Sequence, residues 1–474
     1  MLMKVLLIQP PFNKAMFGIG HLEPLGFEII AASIKPRHDV VFLDMPIDHY
    51  LNATLEKVRP DVVGITALTV QASTAKQVAQ EIKKYDPKIF IVVGGHHASM
   101  IPEDFNIPEI NAIILNHGYI CFPALLENLE NGSDLRKVPG LALTGGSGLY
   151  FSPQQQIRTI EDMPLPDRSI ALKYRKRYHI FNEGPYALIS SAIGCPYHCT
   201  FCACWKVTNA RYYVRTPESV VDELAIVDET RIMFADDNTF QDVKRALKIY
   251  DLIKARCIRK KYIVYARSDT IAKHPEVIEA WSEIGLDKIV IGFEVISDDD
   301  LKKFNKQNTL ENNEKTIAIL KKNGVLNIAH FLIRQDFNIN DFDELRRYVD
   351  KHDIWMPIFP VLTPLPGTDL WTEEKHRLLT DTFDLFDLFH SVLPTRLPLR
   401  QFLSEIETLY LHNYSIWRYI KKRLWQLLQI IKGRKIEKET GEILPLLPLI
   451  VLNRTFRVAL KKTRRNHLVY LKNR

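Results

Sequence analysis

No stretch of this 474-residue chain approaches the roughly 20 consecutive apolar residues that a membrane-crossing helix requires. The longest candidate, residues 443–452, is interrupted by Pro445 and Pro448. Cysteine is sparse as well, and six residues cannot frame a disulfide scaffold in a chain of this length. No internal repeat and no low-complexity tract stands out. Residues 1–11 form a short apolar stretch ending in Pro10-Pro11 with no small-residue cleavage site after it, so they read as a first strand and not as a signal peptide. A cytoplasmic protein is expected. What is present, 46% hydrophobic and 25% charged residues, is the composition of a globular chain with a real core, enough for about two to four domains.

Charge is unevenly shared. Within the net +7, residues 411–474 hold 16 Lys+Arg against 3 Asp+Glu, leaving 47 against 53 for residues 1–410. A near-neutral body with a strongly basic end predicts an anionic surface as partner, either a membrane or a nucleic acid. A solvated helical tail accounts for the same charge.

Residues 1–145 alternate short apolar runs (5–9, 40–43, 62–66, 89–94 and 112–115) with amphipathic stretches such as 73–84. That alternation predicts an α/β domain with a doubly wound, Rossmann- or flavodoxin-like parallel sheet. Ligands of such sheets sit at the carboxyl ends of the strands, where Pro10-Pro11-Phe12, residues 66–69 and Gly94-Gly95-His96-His97-Ala98-Ser99 fall. Residues 146–183 read as a linker, extended around Pro164 and Pro166. Residues 184–372 carry six strand candidates (186–193, 231–235, 262–266, 288–292, 327–333 and 357–362) separated by helical segments, an open partial (β/α)6 barrel of the TIM type. Residues 373–474 turn helical, and basic from about 411.

Four of the six cysteines crowd into Cys195-Pro196-Tyr197-His198-Cys199-Thr200-Phe201-Cys202-Ala203-Cys204, directly after the first barrel strand. Three thiolates spaced C-x3-C-x2-C can hold three irons of a four-iron cluster and leave the fourth open. Structural zinc would want four ligands, with Cys204 or His198 completing the set, but its usual second, distant pair is missing. The spacing and its position resemble the radical S-adenosylmethionine (SAM) enzymes. The resemblance implies a [4Fe-4S] cluster on Cys195, Cys199 and Cys202, with SAM chelating the open iron and Phe201 near the adenine; Cys204 is a bystander. It further implies that Asp236 holds the SAM amino group, although Ala235-Asp236-Asp237-Asn238 departs from the family's usual glycine-glycine-glutamate. Arg267 would pair with the SAM carboxylate, and Glu294 with a ribose hydroxyl or the amino group. Asp237 and Asp269 read as helix caps. His330 and His352 read as packed, and Thr363-Pro364-Leu365-Pro366-Gly367-Thr368 as a proline-rich turn or a loop of the cobalamin-dependent branch.

A doubly wound domain ahead of such a barrel is similar to the cobalamin-binding class. That likeness implies cobalamin contacts from Pro11, Thr66, Gly94, Gly95, His96, Ser99 and Gly118. The D-x-H-x-x-G signature of histidine-ligated cobalamin is absent, as is common in this branch. Gly118-Tyr119-Ile120-Cys121-Phe122 stands where the class often shows G-E-G-E-x-x-F. Arg211-Tyr212-Tyr213, Phe304-Asn305-Lys306 and His390-Ser391-Val392-Leu393-Pro394-Thr395-Arg396 resemble the hopanoid C-3 methylases. That likeness implies a methyltransferase acting on an unactivated carbon of a hopanoid or other terpenoid lipid. An external flavodoxin- or ferredoxin-type electron donor is implied, and a basic tail that docks on anionic lipid and not on nucleic acid. A radical cyclase of the bacteriochlorophyll type, and more remotely a cobalamin or iron–sulfur sensor, are the alternatives.

Overall fold

The computed structural model describes residues 2–12, 20–155, 157–180, 183–380, 382–418, 420, 461 and 465. The basic tail predicted from the sequence therefore lies almost wholly outside the described residues.

Among the described residues, seven strands form one sheet: β1 (Lys4–Gln9), β2 (Asp39–Asp44), β3 (Val62–Thr66), β4 (Phe90–Gly94), β5 (Ala112–Ile114), β6 (Leu141–Leu143) and β7 (Tyr150–Phe151). The order is β2-β1-β3-β4-β5-β6-β7. The first five pair in parallel, while β6 and β7 join antiparallel. This is the flavodoxin-like winding, with its switch point between β1 and β3. Val5, Leu6, Leu7 and Ile8 are all fully buried, alternating between two cores on opposite faces of the sheet. Each is worth about 1.5–3 kcal/mol of burial, which explains why the strand reads as an unbroken apolar run. β6 and β7 are too short to carry a period and escape sequence reading.

A second set of six parallel strands lies in sequential order: β8 (Tyr186–Ile189), β9 (Arg231–Phe234), β10 (Lys261–Ala266), β11 (Leu286–Glu294), β12 (Leu326–Phe331) and β13 (Met356–Ile358). Among the described residues β8 and β13 do not pair, so the barrel is an open arc. Thr216, Asp242, Thr309 and Asn338 cap the helices that follow them, each accepting a backbone N–H of the first turn.

Beyond its prolines the expected linker departs from an extended crossover. It coils into a 3-10 stretch, Arg168–Arg177, because buried carboxylates of both domains gather its arginines. Arg168 pairs with Glu23 (2.5 Å) and Glu28 (3.3 Å) of the first domain and with Glu223 (2.8 Å) of the barrel. Arg175 joins Glu23 and Glu229. Burial, reinforced by Glu23, raises Glu28 to about 8. The expected helical region also begins differently. Residues 375–398 hold short 3-10 turns, and a long helix starts at Leu399–Asn413. Pro394 and Pro398 interrupt helical bonding there, and Asp387 closes a tight turn by accepting the Phe389 and His390 amides, both at 2.9 Å. This strap packs Leu385, Phe386 and Val392 onto Val70 of the first domain, and its Arg396 amide donates to the Gln335 carbonyl of the barrel.

Candidate functional site

β8 runs into a small antiparallel pair, Ala192–Ile193 with Tyr213–Val214, and the intervening loop carries the cysteines. Gly194 opens the loop at φ +93, and a Cβ there would lie 2.2 Å from the Arg211 carbonyl oxygen, so the turn requires glycine. Thr200 N–H donates to the Phe304 carbonyl (3.1 Å), and the Thr200 carbonyl accepts Leu370 N–H (2.9 Å). Asn305 Nδ2 donates to the His198 carbonyl (2.9 Å) and Trp205 Nε1 to that of Cys199 (3.0 Å). Cys195, Cys199 and Cys202 are all free thiols on this pinned loop. Burial pushes Cys195 up to about 11 and raises Cys199 too. Cys202 goes the other way, down to about 7, chiefly through the neighbouring Cys204 side chain. Among the described residues no three His, Cys, Asp or Glu side chains are grouped to hold a single ion. A four-iron cluster asks for a wider set, one thiolate on each of three irons, and the free-thiol loop fits that demand.

Asp236, expected to take a ligand amino group, has both oxygens engaged. Oδ1 accepts the amides of Ser191 (2.7 Å) and Ala192 (2.9 Å), and Oδ2 accepts Ser191 Oγ (2.6 Å). It holds the base of the cysteine loop, and burial raises it to about 6 despite those bonds. Asp237 is not the expected helix cap; it accepts Gly194 N–H at 2.9 Å, and the next helix is capped by Asp242. Asp269 likewise orients Arg267, accepting its Nε at 2.9 Å. The Arg267 guanidinium stacks on the Tyr197 ring at 3.5 Å and donates from Nη2 to the Lys306 carbonyl at 2.6 Å.

Glu294 ends β11 past a bulge against β12, with φ at +67, and the bulge re-aims its carboxylate. Its Oε1 accepts Lys306 Nζ at 2.7 Å, both residues being buried. Burial opposes the ammonium, but Glu294 and Cys199 more than offset it and raise Lys306. His330, expected merely to pack, neighbours Gly292 across the sheet, and burial lowers it while Glu294 pulls it upward. His352 packs on Tyr348 and pairs with Glu314, away from the mouth. Lys306 is the site residue that strand-end reasoning missed, since it sits two residues after Phe304 and beyond any strand. Phe201 stands edge-on to Phe304 (5.5 Å) in an apolar wall with Val295, Leu332 and Leu362. Thr368, in the proline-rich loop, caps the Asp369–Glu374 helix whose Leu370 anchors the cysteine loop.

A cavity of about 540 Å³ lies between the carboxyl ends of the first sheet and the barrel. Thr66, Gly94, Gly95 and Gly118 line it on one side, and Leu188, Ser190, Ile193 and Ala235 on the other. Gly95 has φ +97, and a Cβ there would lie 2.7 Å from Thr66 Oγ1. Pro11, His96 and Ser99, expected beside them, do not line the cavity. The Pro11 carbonyl accepts Thr74 Oγ1 (2.7 Å), and Ser99 Oγ links the Gly95 carbonyl (3.0 Å) to Asn116 N–H (2.9 Å). His96 is instead lowered by burial, with Asp237 of the barrel countering.

Together these features define a class: a flavodoxin-like ligand domain facing an open barrel that presents a three-cysteine loop, with a cavity between them. A B12 binding domain model matches residues 20–126, and a Radical SAM superfamily model matches residues 189–349. The chain is 30% identical over 415 residues to the hopanoid C-3 methylase of Methylococcus capsulatus, covering 85% of this chain and 79% of that protein. It is 27% identical over 431 residues to the anaerobic magnesium-protoporphyrin IX monomethyl ester cyclase of Rubrivivax gelatinosus, covering 87% and 77% respectively. The cobalamin-dependent SAM radical enzyme OxsB, solved with aqua-cobalamin and SAM bound, shares the fold at TM-score 0.68 and 16% identity, covering 100% of this chain and 81% of that one. The chain belongs to the cobalamin-binding radical SAM family of methyltransferases. Its cofactors are accordingly a [4Fe-4S] cluster, SAM and cobalamin. Among the described residues no helix is long and apolar enough to cross a membrane.

Proposed function

We propose that this enzyme methylates an unactivated carbon of a hopanoid or a similar terpenoid lipid, working as a cytoplasmic protein at a membrane surface. The observation that carries the reading is the inter-domain cavity, with Thr66, Gly94, Gly95 and Gly118 on one side and the barrel end from which the cysteine loop rises on the other. The bound cofactors supply hydrogen abstraction and the methyl group. Cys195, Cys199 and Cys202 would hold the cluster. Arg267, fixed by Asp269 and Tyr197, and the Glu294–Lys306 pair would orient SAM, with Phe201 and its apolar neighbours excluding water. Gly94, Gly95 and Gly118 would let the corrin approach the backbone closely, beside Thr66.

Two features support a lipid. The relative with 30% identity is named for a hopanoid. Ile416, Trp417 and Ile420 are exposed, Trp417 by 80%, just where the basic end begins. Exposed apolar side chains beside a sequence rich in Lys and Arg suit anionic lipid. A flavodoxin- or ferredoxin-type protein would supply electrons. The test is incubation of reconstituted enzyme with trideuteromethyl-SAM and terpenoid lipids in anionic vesicles. A trideuteromethyl lipid is expected. Turnover of SAM without labelled lipid, across hopanoids and other triterpenoids, would overturn the substrate class. Flotation with anionic but not neutral vesicles, weakened by salt, checks the membrane contact.

A further inference from the structure

Electrons for the cluster come from outside the protein, and its cysteine loop is open to solvent at one point. The first domain covers part of the loop. Ile193 and Val207 line the inter-domain cavity, and the helix His96–Met100 packs against the helix Cys204–Val207. Of residues 195–204, only His198 is exposed. It lies between Cys195 and Cys199, and Cys199 itself is buried. Asn305 Nδ2 fixes the His198 carbonyl at 2.9 Å, and the imidazole stands edge-on to Trp205 at 4.7 Å. Trp205 Nε1 in turn donates to the Cys199 carbonyl at 3.0 Å. Two rings therefore link solvent to the backbone of a cluster ligand.

Cations surround this opening. Residues 195–214 hold Lys206 and Arg211 and no acid. Lys206 Nζ lies 4.2 Å over the Trp205 ring, where Asp369 holds it at 2.5 Å. The helix Asp298–Lys303 ends in Lys302 and Lys303, both exposed. Asn305 N–H donates to the Lys302 carbonyl at 2.9 Å, so these lysines sit beside the residue that fixes His198. The acids of that helix offset them little. Asp298 accepts Leu310 N–H at 2.7 Å, and Asp300 is committed to Arg334. Asp299 lies 3.8 Å from Lys302, but their side chains are 98% and 78% exposed, where an ion pair is weak.

We propose that the face formed by His198, Trp205, Lys302 and Lys303 docks a small acidic electron-carrier protein. The carrier loses one electron there and the cluster gains it, with no bond made or broken. The proposal rests on the reading that a flavodoxin- or ferredoxin-type protein supplies electrons, and it names the face that protein meets.

The test is the rate at which the reconstituted full chain is reduced by an acidic flavodoxin and, separately, by an acidic ferredoxin. Photoreduced deazaflavin is the small-molecule control, and freeze-quenched electron paramagnetic resonance of the reduced cluster reads the rate. The double variant Lys302→Glu, Lys303→Glu alters only exposed side chains. Reduction of the parent by a carrier should slow as salt rises. At low salt the variant should be slower than the parent by about tenfold, with the gap closing at high salt and the deazaflavin rate unchanged. Equal rates for parent and variant with every carrier that reduces the parent would overturn the proposal. Equal slowing with carrier and deazaflavin would place the change in the cluster and overturn it as well. If deazaflavin reduces the parent and neither carrier does, the donor reading falls, and this proposal with it.

Discussion

Lys306→Met leaves the Glu294 carboxylate without its cation in a place where water cannot replace it. Glu294 is 7% exposed and Lys306 8%, and their contact is 2.7 Å. Removing one partner of a buried pair costs about 3–5 kcal/mol, since the other charge stays desolvated. Glu294 also stands at φ +67, a conformation that costs a non-glycine residue about 1–3 kcal/mol and is tolerated only while its surroundings hold it. Releasing the carboxylate lets that strain relax, so the lower end, about 3 kcal/mol, is expected. The double variant Glu294→Gln, Lys306→Met should recover much of the loss, with a coupling energy of about 2 kcal/mol. Urea unfolding of the single and double variants is the assay. A cost below about 1 kcal/mol for the single variant would show that the pair is solvated and refute the reasoning.

Cys202→Ser should lower iron content well below about four per chain after reconstitution, while Cys204→Ser should keep it; metal analysis of both decides whether Cys204 stands outside the cluster's ligand set. Gly95→Ala forces a Cβ to 2.7 Å from Thr66 Oγ1 at φ +97, so cobalamin retention after desalting should drop sharply and the thermal midpoint should fall. Glu28 binds its proton more tightly folded than unfolded, so its contribution to stability falls as pH rises from about 4.5 to 8. Glu28→Gln removes that loss, and its unfolding midpoint should exceed the parent's at pH 8 and converge with it at low pH.

The parallel strands of the two sheets were legible because buried parallel strands read as apolar runs and the helices between them carry caps and amphipathic faces, whereas their order in each sheet and the short antiparallel β6 and β7 were not. The cysteine loop was legible because its ligand spacing is local in sequence. The partners that shape it were not. Asp236 and Asp237 read alike as strand-end acids, yet one braces Ser191 and Ala192 while the other holds Gly194, a distinction set by long-range geometry. Lys306 escaped because nothing local marks a lysine that reaches a carboxylate twelve positions back across the barrel mouth. The cavity residues divide the same way: Gly94 and Gly95 announce close backbone approach, whereas Leu188, Ser190 and Ala235 join them only once the barrel faces the first sheet. The docking of Arg168–Arg177 likewise depends on carboxylates from both domains, which no window of sequence contains.

Methyl transfer through cobalamin and radical chemistry leaves two SAM-derived products, and counting them is the most direct test. Anaerobically reconstituted enzyme, supplied with cobalamin, reductant and substrate lipid, should convert SAM to S-adenosylhomocysteine and 5′-deoxyadenosine in step with methylated product. 5′-Deoxyadenosine formed without S-adenosylhomocysteine, in protein holding both iron and cobalt, would contradict methylation and point to cyclisation or another radical reaction on the same scaffold.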